Sequence, residues 1–332
     1  MAEQAKQIRW GIIGLGNIAR ELARDLALVP DAELVAVASH AAERAEDFAQ
    51  EFGANYAFGS YQELFECEEV DVVYVATYHH LHARYSIEAM KYGKHVLCEK
   101  PAAINATEAE AMIEASRTNE VFFMEALWSR FNPSLRKIKE MVDEGALGTL
   151  RSVQADFCFY GLDADPKGRL LNPELAGGSL LDIGIYPVFL SYLLLGMPEK
   201  ISAQSRFFHT GAEIQTSMIL HHPWAQSVLH SSFAHTSDNR ANICGEEGQI
   251  IVDPFWFQTT GFTLTREGKS QPFSFPLNGK GYTYEIEEVH QCIRGGKTES
   301  ELWSHKDTLN LISLLDRIRE IAGIDFPIAT LE

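Results

Sequence analysis

Trp10-Gly11-Ile12-Ile13-Gly14-Leu15-Gly16-Asn17-Ile18-Ala19 decides how the rest of the chain is read. The apolar run from Ile8 to Ile13 has the length of a buried strand, and Ile18, Leu22, Leu26 and Val29 follow at helical spacing. A G-x-G-x-x-A turn between strand and helix is a dinucleotide-binding fingerprint. Gly14 permits the tight turn, Gly16 lets a pyrophosphate approach the backbone, and Ala19 keeps the helix close to the sheet. The helix start at Asn17 and Ile18 offers free N–H groups and partial positive charge to phosphates. Gly14, Gly16, Asn17 and Ile18 are therefore cofactor-binding candidates; the competing reading is a glycine turn without a ligand.

Bulk properties narrow the function classes. A chain of 332 residues is long for one core, so two domains are expected. With 46% hydrophobic and 22% charged residues it reads as a soluble globular protein. A net charge of −18 argues against nucleic acid and anionic membranes as partners. No apolar run approaches a membrane span, and the polar start Met1 to Gln7 lacks a signal-peptide core. Cys67, Cys98, Cys158, Cys244 and Cys292 are scattered and show no C-x-x-C spacing. Reduced thiols in a cytoplasmic protein are expected, with no metal.

The first stretch alternates strands (8–13, 34–38, 70–76, 95–98 and 121–124) with helices (44–52, 61–67, 83–92 and 108–117). Such alternation implies a doubly wound parallel sheet of Rossmann type. Ser60–Glu63 and Thr107–Glu110 fit capping boxes. After about residue 148 the texture changes to period two, with Val153, Ala155, Phe157 and Phe159 sharing a face. Six further strand-like runs between 201 and 265 suggest an open, largely antiparallel sheet. The expected fold is thus α/β: a Rossmann domain over 1–126 and an α+β substrate and oligomerisation domain over 127–332, its last helix packing back on the body.

An acidic residue at the end of the second strand would bind the ribose hydroxyls of NAD. Ser39-His40-Ala41-Ala42 holds no carboxylate there, and Arg44 follows. A hydroxyl, an imidazole and a guanidinium suit a 2′-phosphate, so NADP is expected, with NAD the second choice.

Three more motifs carry a family resemblance. Thr77-Tyr-His-His-Leu-His82 follows the third strand expected, Glu99-Lys100-Pro101 follows the fourth, and Gly177-Gly-Ser-Leu-Leu-Asp-Ile-Gly-Ile-Tyr186-Pro187 lies in the second part. With the glycine turn, these resemble the Gfo/Idh/MocA oxidoreductases over nearly the whole chain. Glu125-Ala-Leu-Trp128-Ser-Arg130 and Asp182-Ile-Gly-Ile-Tyr186 are most similar to its dimeric dihydrodiol dehydrogenase and NADP-dependent D-xylose dehydrogenase branch.

The resemblance implies an active site between the two domains, with Lys100, Asp182 and Tyr186 catalytic and a Lys100–Pro101 peptide often cis. It assigns Thr77, His79, His82 and Glu99 to the cofactor, leaves His80 unassigned, and places Trp128, Arg130 and Phe157 around nicotinamide and substrate. Asp182 and Tyr186, four apart, share a face of the expected helix. A nearby Lys100 ammonium would lower the Tyr186 pKa and make it a base; whether tyrosine or lysine moves the proton stays open. The histidines of 79–82 lack a carboxylate or cysteine partner, so no metal is expected there. The expected activity is NAD(P)-dependent hydride transfer with a polyhydroxylated cyclic substrate, an aldose such as D-xylose or D-glucose going to its lactone. The alternatives are a trans-1,2-dihydrodiol dehydrogenase and a non-catalytic NADP-sensing protein. A homodimer or larger homo-oligomer through the second sheet is expected.

Overall fold

The computed structural model describes residues 7–327; Met1 to Lys6, on which the reading of the N-terminus partly rests, lie outside it. Two sheets organise the chain. The first contains β1 (Ile8–Ile13), β2 (Ala32–Ala38), β3 (Tyr56–Phe58), β4 (Val72–Val75), β5 (His95–Glu99) and β6 (Phe123–Ala126). All its pairings are parallel, in the order β3-β2-β1-β4-β5-β6. Its core strands are continuous apolar runs because helices cover both faces. These helices include α1 (Asn17–Leu26), α2 (Ala42–Phe52), α3 (Tyr61–Glu66), α4 (His82–Lys91) and α5 (Ala106–Thr118).

The Ser60–Glu63 capping box is present, with both reciprocal bonds. The one expected at Thr107–Glu110 is not. Helix α5 begins two residues earlier, and Asn105 caps it by accepting from the Glu108 N–H at 2.8 Å. Asparagine is at least as good an N-cap as threonine, and its position sets the start. A further helix, α6 (Pro133–Asp143), begins with Pro133 in its first turn and Asn132 as its cap. Strand β3 is only three residues long, and its neighbours in sequence give it no distinct apolar pattern.

The second sheet holds β7 (Leu150–Cys158), β8 (Lys200–Phe207), β9 (Glu213–His221), β10 (Gln226–Ser232), β11 (Ala241–Gly245), β12 (Gly248–Val252), β13 (Gly261–Arg266) and β14 (Lys269–Ser274). It is antiparallel except where β10 runs parallel to β7. The last strand is a polar edge with Pro272, tolerated where one side needs no ladder bond. One face of the sheet packs against α7 (Ile185–Leu195). The other leaves Ile219, Val228 and Ile251 exposed.

Helices α8 (Thr283–Arg294) and α9 (His305–Ala322) return to the first sheet. The Asp25 carboxylate accepts the backbone N–H groups of Lys280, Gly281 and Tyr282 at 2.9–3.0 Å. Trp10 Nε1 donates to His290 Nε2 at 3.0 Å, and Phe123 N donates to Thr298 O at 3.0 Å. The dinucleotide half is therefore closed by the end of the chain.

Candidate functional site

The glycine turn has the geometry its sequence implies. Gly14 has φ +80°, and a Cβ there would lie 2.4 Å from the backbone C and O of Ala76, so only glycine fits. Gly16 is the N-cap of α1 and supplies no side-chain cap, leaving first-turn N–H groups free for phosphate. The nearest neighbour of a Gly16 Cβ would be 4.0 Å away, so the space in front of this backbone is open. Asn17 and Ile18 form the first residues of the helix.

At the end of β2, Ser39 Oγ accepts from the Ala41 N–H, and His40 packs against Tyr61 with ring centroids 4.4 Å apart. Arg44 donates from Nε and Nη2 to Leu15 O, which lodges its guanidinium beside the glycine turn. The residues present fit a dinucleotide, and no carboxylate lies at the Ser39–His40 turn.

Lys100 leaves the end of β5 before a cis Lys100–Pro101 peptide. Its ammonium donates to Asp182 O at 2.5 Å and lies 3.3 Å from Asp182 Oδ1. Behind it, Glu99 is buried and held by protein on both oxygens, accepting from Tyr74 OH and, at 3.1 Å, from the Lys100 N–H. Burial raises the Glu99 pKa against the opposing effect of Lys100. Glu99 thus fixes the Lys100 backbone from behind. Glu125, which opens the Glu125–Arg130 motif, secures the next residues by accepting from Ala102 N at 2.9 Å and Trp303 Nε1 at 3.1 Å.

Asp182 stands on a single π-helical stretch, Leu180–Gly184, that runs into α7, instead of on one continuous α-helix. Buried Glu213 holds this stretch through Ser179 Oγ and Leu180 N. Asp182 Oδ1 also accepts from Arg169 Nη1 at 2.9 Å. Burial would raise the Asp182 pKa, but the Lys100 and Arg169 cations outweigh it and hold the carboxyl well below its ordinary range. Arg169 was not legible in sequence: it sits in an irregular loop brought in by Gly177, where a Cβ would lie 2.6 Å from Arg169 O.

Lys100 and Tyr186 come together, but the lysine meets the face of the ring. The Lys100 Nζ lies over the Tyr186 ring, 5.3 Å from the centroid, while the phenol oxygen accepts from Trp128 Nε1 at 2.8 Å. Burial and then the Glu99 charge raise the Tyr186 pKa well above its ordinary value, so the phenol keeps its proton.

The aromatic wall expected from Trp128 and Phe157 is present and larger than expected. Trp128 stacks on Tyr282 at 5.0 Å, Phe157 stacks on Phe257 at 3.8 Å, and Tyr186 lies 5.5 Å from Phe157. Tyr282 and Phe257 come from distant loops and carry no motif.

The histidine loop divides. His79 is half-buried near Asp182, His82, Lys100 and Arg169, and desolvation lowers its pKa well below the usual value, so it is neutral. His82 is fully buried, with Nδ1 2.8 Å from Pro101 O and Nε2 3.0 Å from Thr77 O. Burial lowers its pKa to about 4. Both its nitrogens face protein carbonyls, so it braces the Thr77 loop against the Lys100 turn. Thr77 stands at the loop start beside the glycine turn. Arg130 departs from the site: its Nε donates to Leu302 O at 2.8 Å, holding the segment before α9.

Beyond the wall, Glu285 is fully buried in the first turn of α8, and neither carboxyl oxygen has a hydrogen-bond partner among the described residues. Burial, then Glu99 and Asp25, raise its pKa well above the ordinary value. The folded state thus binds this proton more tightly than the unfolded state. The resulting stability is complete below the ordinary carboxylate range and is lost as pH rises through the folded value. Scanning calorimetry of Glu285→Gln should show its Tm, relative to the parent, moving in the variant's favour from pH 5 to pH 8. A pH-independent difference would mean the carboxyl does not titrate on folding.

Comparison with known proteins agrees with this geometry. Residues 8–127 match the oxidoreductase family with an NAD-binding Rossmann fold, and residues 135–251 match the GFO/IDH/MocA C-terminal domain. The chain is 36% identical over 336 residues to trans-1,2-dihydrobenzene-1,2-diol dehydrogenase of Mus musculus, covering 96% of this chain and 98% of that protein. It superposes on an aldose-aldose oxidoreductase from Caulobacter crescentus complexed with glycerol with a TM-score of 0.88 at 27% identity, covering 96% and 98% of the two chains. A 3-ketoreductase from Actinomadura kijaniata in complex with NADP gives a TM-score of 0.83 at 26% identity, covering 98% and 100%. The chain is an NAD(P)-linked oxidoreductase and belongs to the GFO/IDH/MocA family.

Proposed function

We propose that the chain is an NADP-dependent dehydrogenase acting on a ring CH–OH beside a second hydroxyl, with Lys100, Asp182 and Tyr186 as its catalytic group. The observation that carries this reading is the Lys100–Asp182–Arg169 cluster set against the Trp128–Phe157–Phe257–Tyr186 wall. NADP, when bound, supplies the hydride acceptor. The glycine turn and Arg44 hold its phosphates, with Ser39 and His40 around the 2′-phosphate, Thr77 and His79 toward the nicotinamide end.

Lys100 has three N–H donors, two of which go to Asp182. The third donates to the substrate oxygen and, in the reductive direction, passes its proton to it; in the oxidative direction Lys100 must first lose one proton to solvent, and its neutral amine then takes the proton of the substrate hydroxyl. Asp182, ionised throughout the neutral range, orients the ammonium and binds the neighbouring hydroxyl. Tyr186 keeps its proton and donates it in a hydrogen bond to the substrate, its oxygen already accepting from Trp128. An aldose oxidised to its lactone is the first substrate reading. A trans-dihydrodiol is the second, favoured by the aromatic wall and by the diol dehydrogenases among the relatives.

The test is reduced-cofactor absorbance with aldoses, inositols and trans-dihydrodiols, using NADP and NAD in parallel. Turnover with one substrate group and preference for NADP are expected. Tight NADP binding with no turnover across the panel would favour the non-catalytic sensor, and preference for NAD would overturn the Ser39–His40–Arg44 argument.

The domain division is taken at 126/127, where β6 ends, and the chain is assigned to the cytoplasm on its free cysteines. No helix among the described residues is long and apolar enough to cross a membrane. The outward Ile219, Val228 and Ile251 support a homodimer through the second sheet. Light scattering at micromolar concentration should give the mass of two chains; the mass of one would sink this assignment.

A further inference from the structure

The cysteines and histidines look unrelated in sequence, but the second sheet gathers three of them. Cys158 ends β7, His230 lies on β10, and His235 follows β10 in the next loop. Their ligand atoms all lie within 4.8 Å of one another. His230 Nε2 and His235 Nε2 are 3.3 Å apart. Two nitrogens bound at about 2.0–2.1 Å to a tetrahedral ion stand about 3.3–3.4 Å apart, so the pair already has the edge length of such a site.

The outer partners of the imidazoles point the same way. His235 Nδ1 lies 3.2 Å from Thr236 O, and a carbonyl only accepts, so Nδ1 carries the hydrogen and Nε2 presents its lone pair inward. His230 Nδ1 lies 3.0 Å from Ser217 Oγ. A hydroxyl can donate or accept. With no ion, His230 Nε2–H donates to His235 Nε2 and Ser217 donates to Nδ1. With an ion, the proton moves to Nδ1, Ser217 accepts it, and Nε2 becomes a ligand. Outer-shell bonds of this kind orient metal-binding imidazoles.

From this geometry we propose that Cys158 Sγ, His230 Nε2 and His235 Nε2 bind a divalent transition ion, Zn2+, with water completing four-coordination. Thiolate and imidazole are the donors zinc prefers, and three protein ligands leave one open position. The thiol proton of Cys158 is released to solvent on binding, as metal capture by thiols requires. Neighbouring strand residues point to opposite faces, so Cys158 stands behind Phe157, which forms the active-site wall. The ion would tie the end of β7 to the loop after β10 and brace that wall from its rear. The site is distinct from the histidines at 79–82.

The test uses the full chain, freed of metal by chelator and titrated with Co2+ and then Zn2+. One Co2+ per chain is expected, with a thiolate-to-cobalt charge-transfer band that one Zn2+ abolishes. Cys158→Ser should remove the band. His235→Ala, at an exposed position that leaves the fold intact, should weaken binding by at least about tenfold, and Ser217→Ala by about 10–100-fold. Absence of the band in the parent chain, its survival in Cys158→Ser, or unchanged affinity in His235→Ala would each overturn the site. None of these readouts depends on turnover.

Discussion

Replacing Lys100 with methionine is expected to lower kcat by about 10²–10⁴-fold, the range associated with losing a positioned acid or base. NADP affinity should stay within about twofold, because the dinucleotide is gripped at the glycine turn and Arg44, and only transition-state interactions are removed. Methionine keeps the length and apolar stem of the lysine, so the Tyr186 ring retains its cover. Tyr186→Phe provides the contrast. If the phenol only donates a hydrogen bond, its loss should cost about tenfold or less, the equivalent of roughly 1.4 kcal/mol. Steady-state kinetics and cofactor fluorescence titration on both variants decide between lysine and tyrosine. A larger loss in Tyr186→Phe than in Lys100→Met would reverse the assignment of the proton to Nζ.

The second large effect is expected at the glycine turn. Gly14→Ala places a Cβ 2.4 Å from backbone atoms of Ala76 and asks alanine to hold φ +80°. Left-handed backbone costs roughly 1–2 kcal/mol, and overpacking against atoms that cannot swing aside roughly 1–3 kcal/mol more. A loss of about 2–5 kcal/mol of stability should appear in denaturant unfolding, together with loss of cofactor binding. Gly16→Ala should behave differently. Its Cβ meets open space, so stability should stay near the parent value while phosphate approach is blocked. Equal stability losses in the two variants would show that Gly16 is also packed, contrary to the geometry of the turn.

The fold was largely legible because each cue was local. Short β-branched runs separated by helical patterns define the parallel sheet, and strict alternation in β7 marks the change of architecture. Of what escaped, Tyr56–Phe58 is too short and Lys269–Ser274 polar and marginal, while the helix Pro133–Asp143 falls between the two regular textures. The chemistry of the site was legible wherever a motif carried it, so Lys100, Asp182 and Tyr186 do meet. Their mutual arrangement was not. Residue spacing puts Asp182 and Tyr186 on one side of a helix, but cannot say that Trp128 would occupy the phenol oxygen or that Arg169 would share Asp182. Arg130 shows the opposite limit: a motif placed it near the site, and one carbonyl, Leu302 O, draws it away. Cys158, His230 and His235 are invisible to spacing rules because their proximity is created by strand register.

The closing of the first sheet by α8 and α9 also sets a timetable. Trp10 finds its hydrogen-bond partner His290 only 280 residues further along the chain. At synthesis rates of roughly 5–20 residues per second, that partner emerges about 15–55 s after the tryptophan. Until then the nascent Rossmann sheet has its glycine turn but lacks the helices that cover Trp10 and the N–H groups that satisfy Asp25. The nucleotide-binding half is made first, but its packing is completed last.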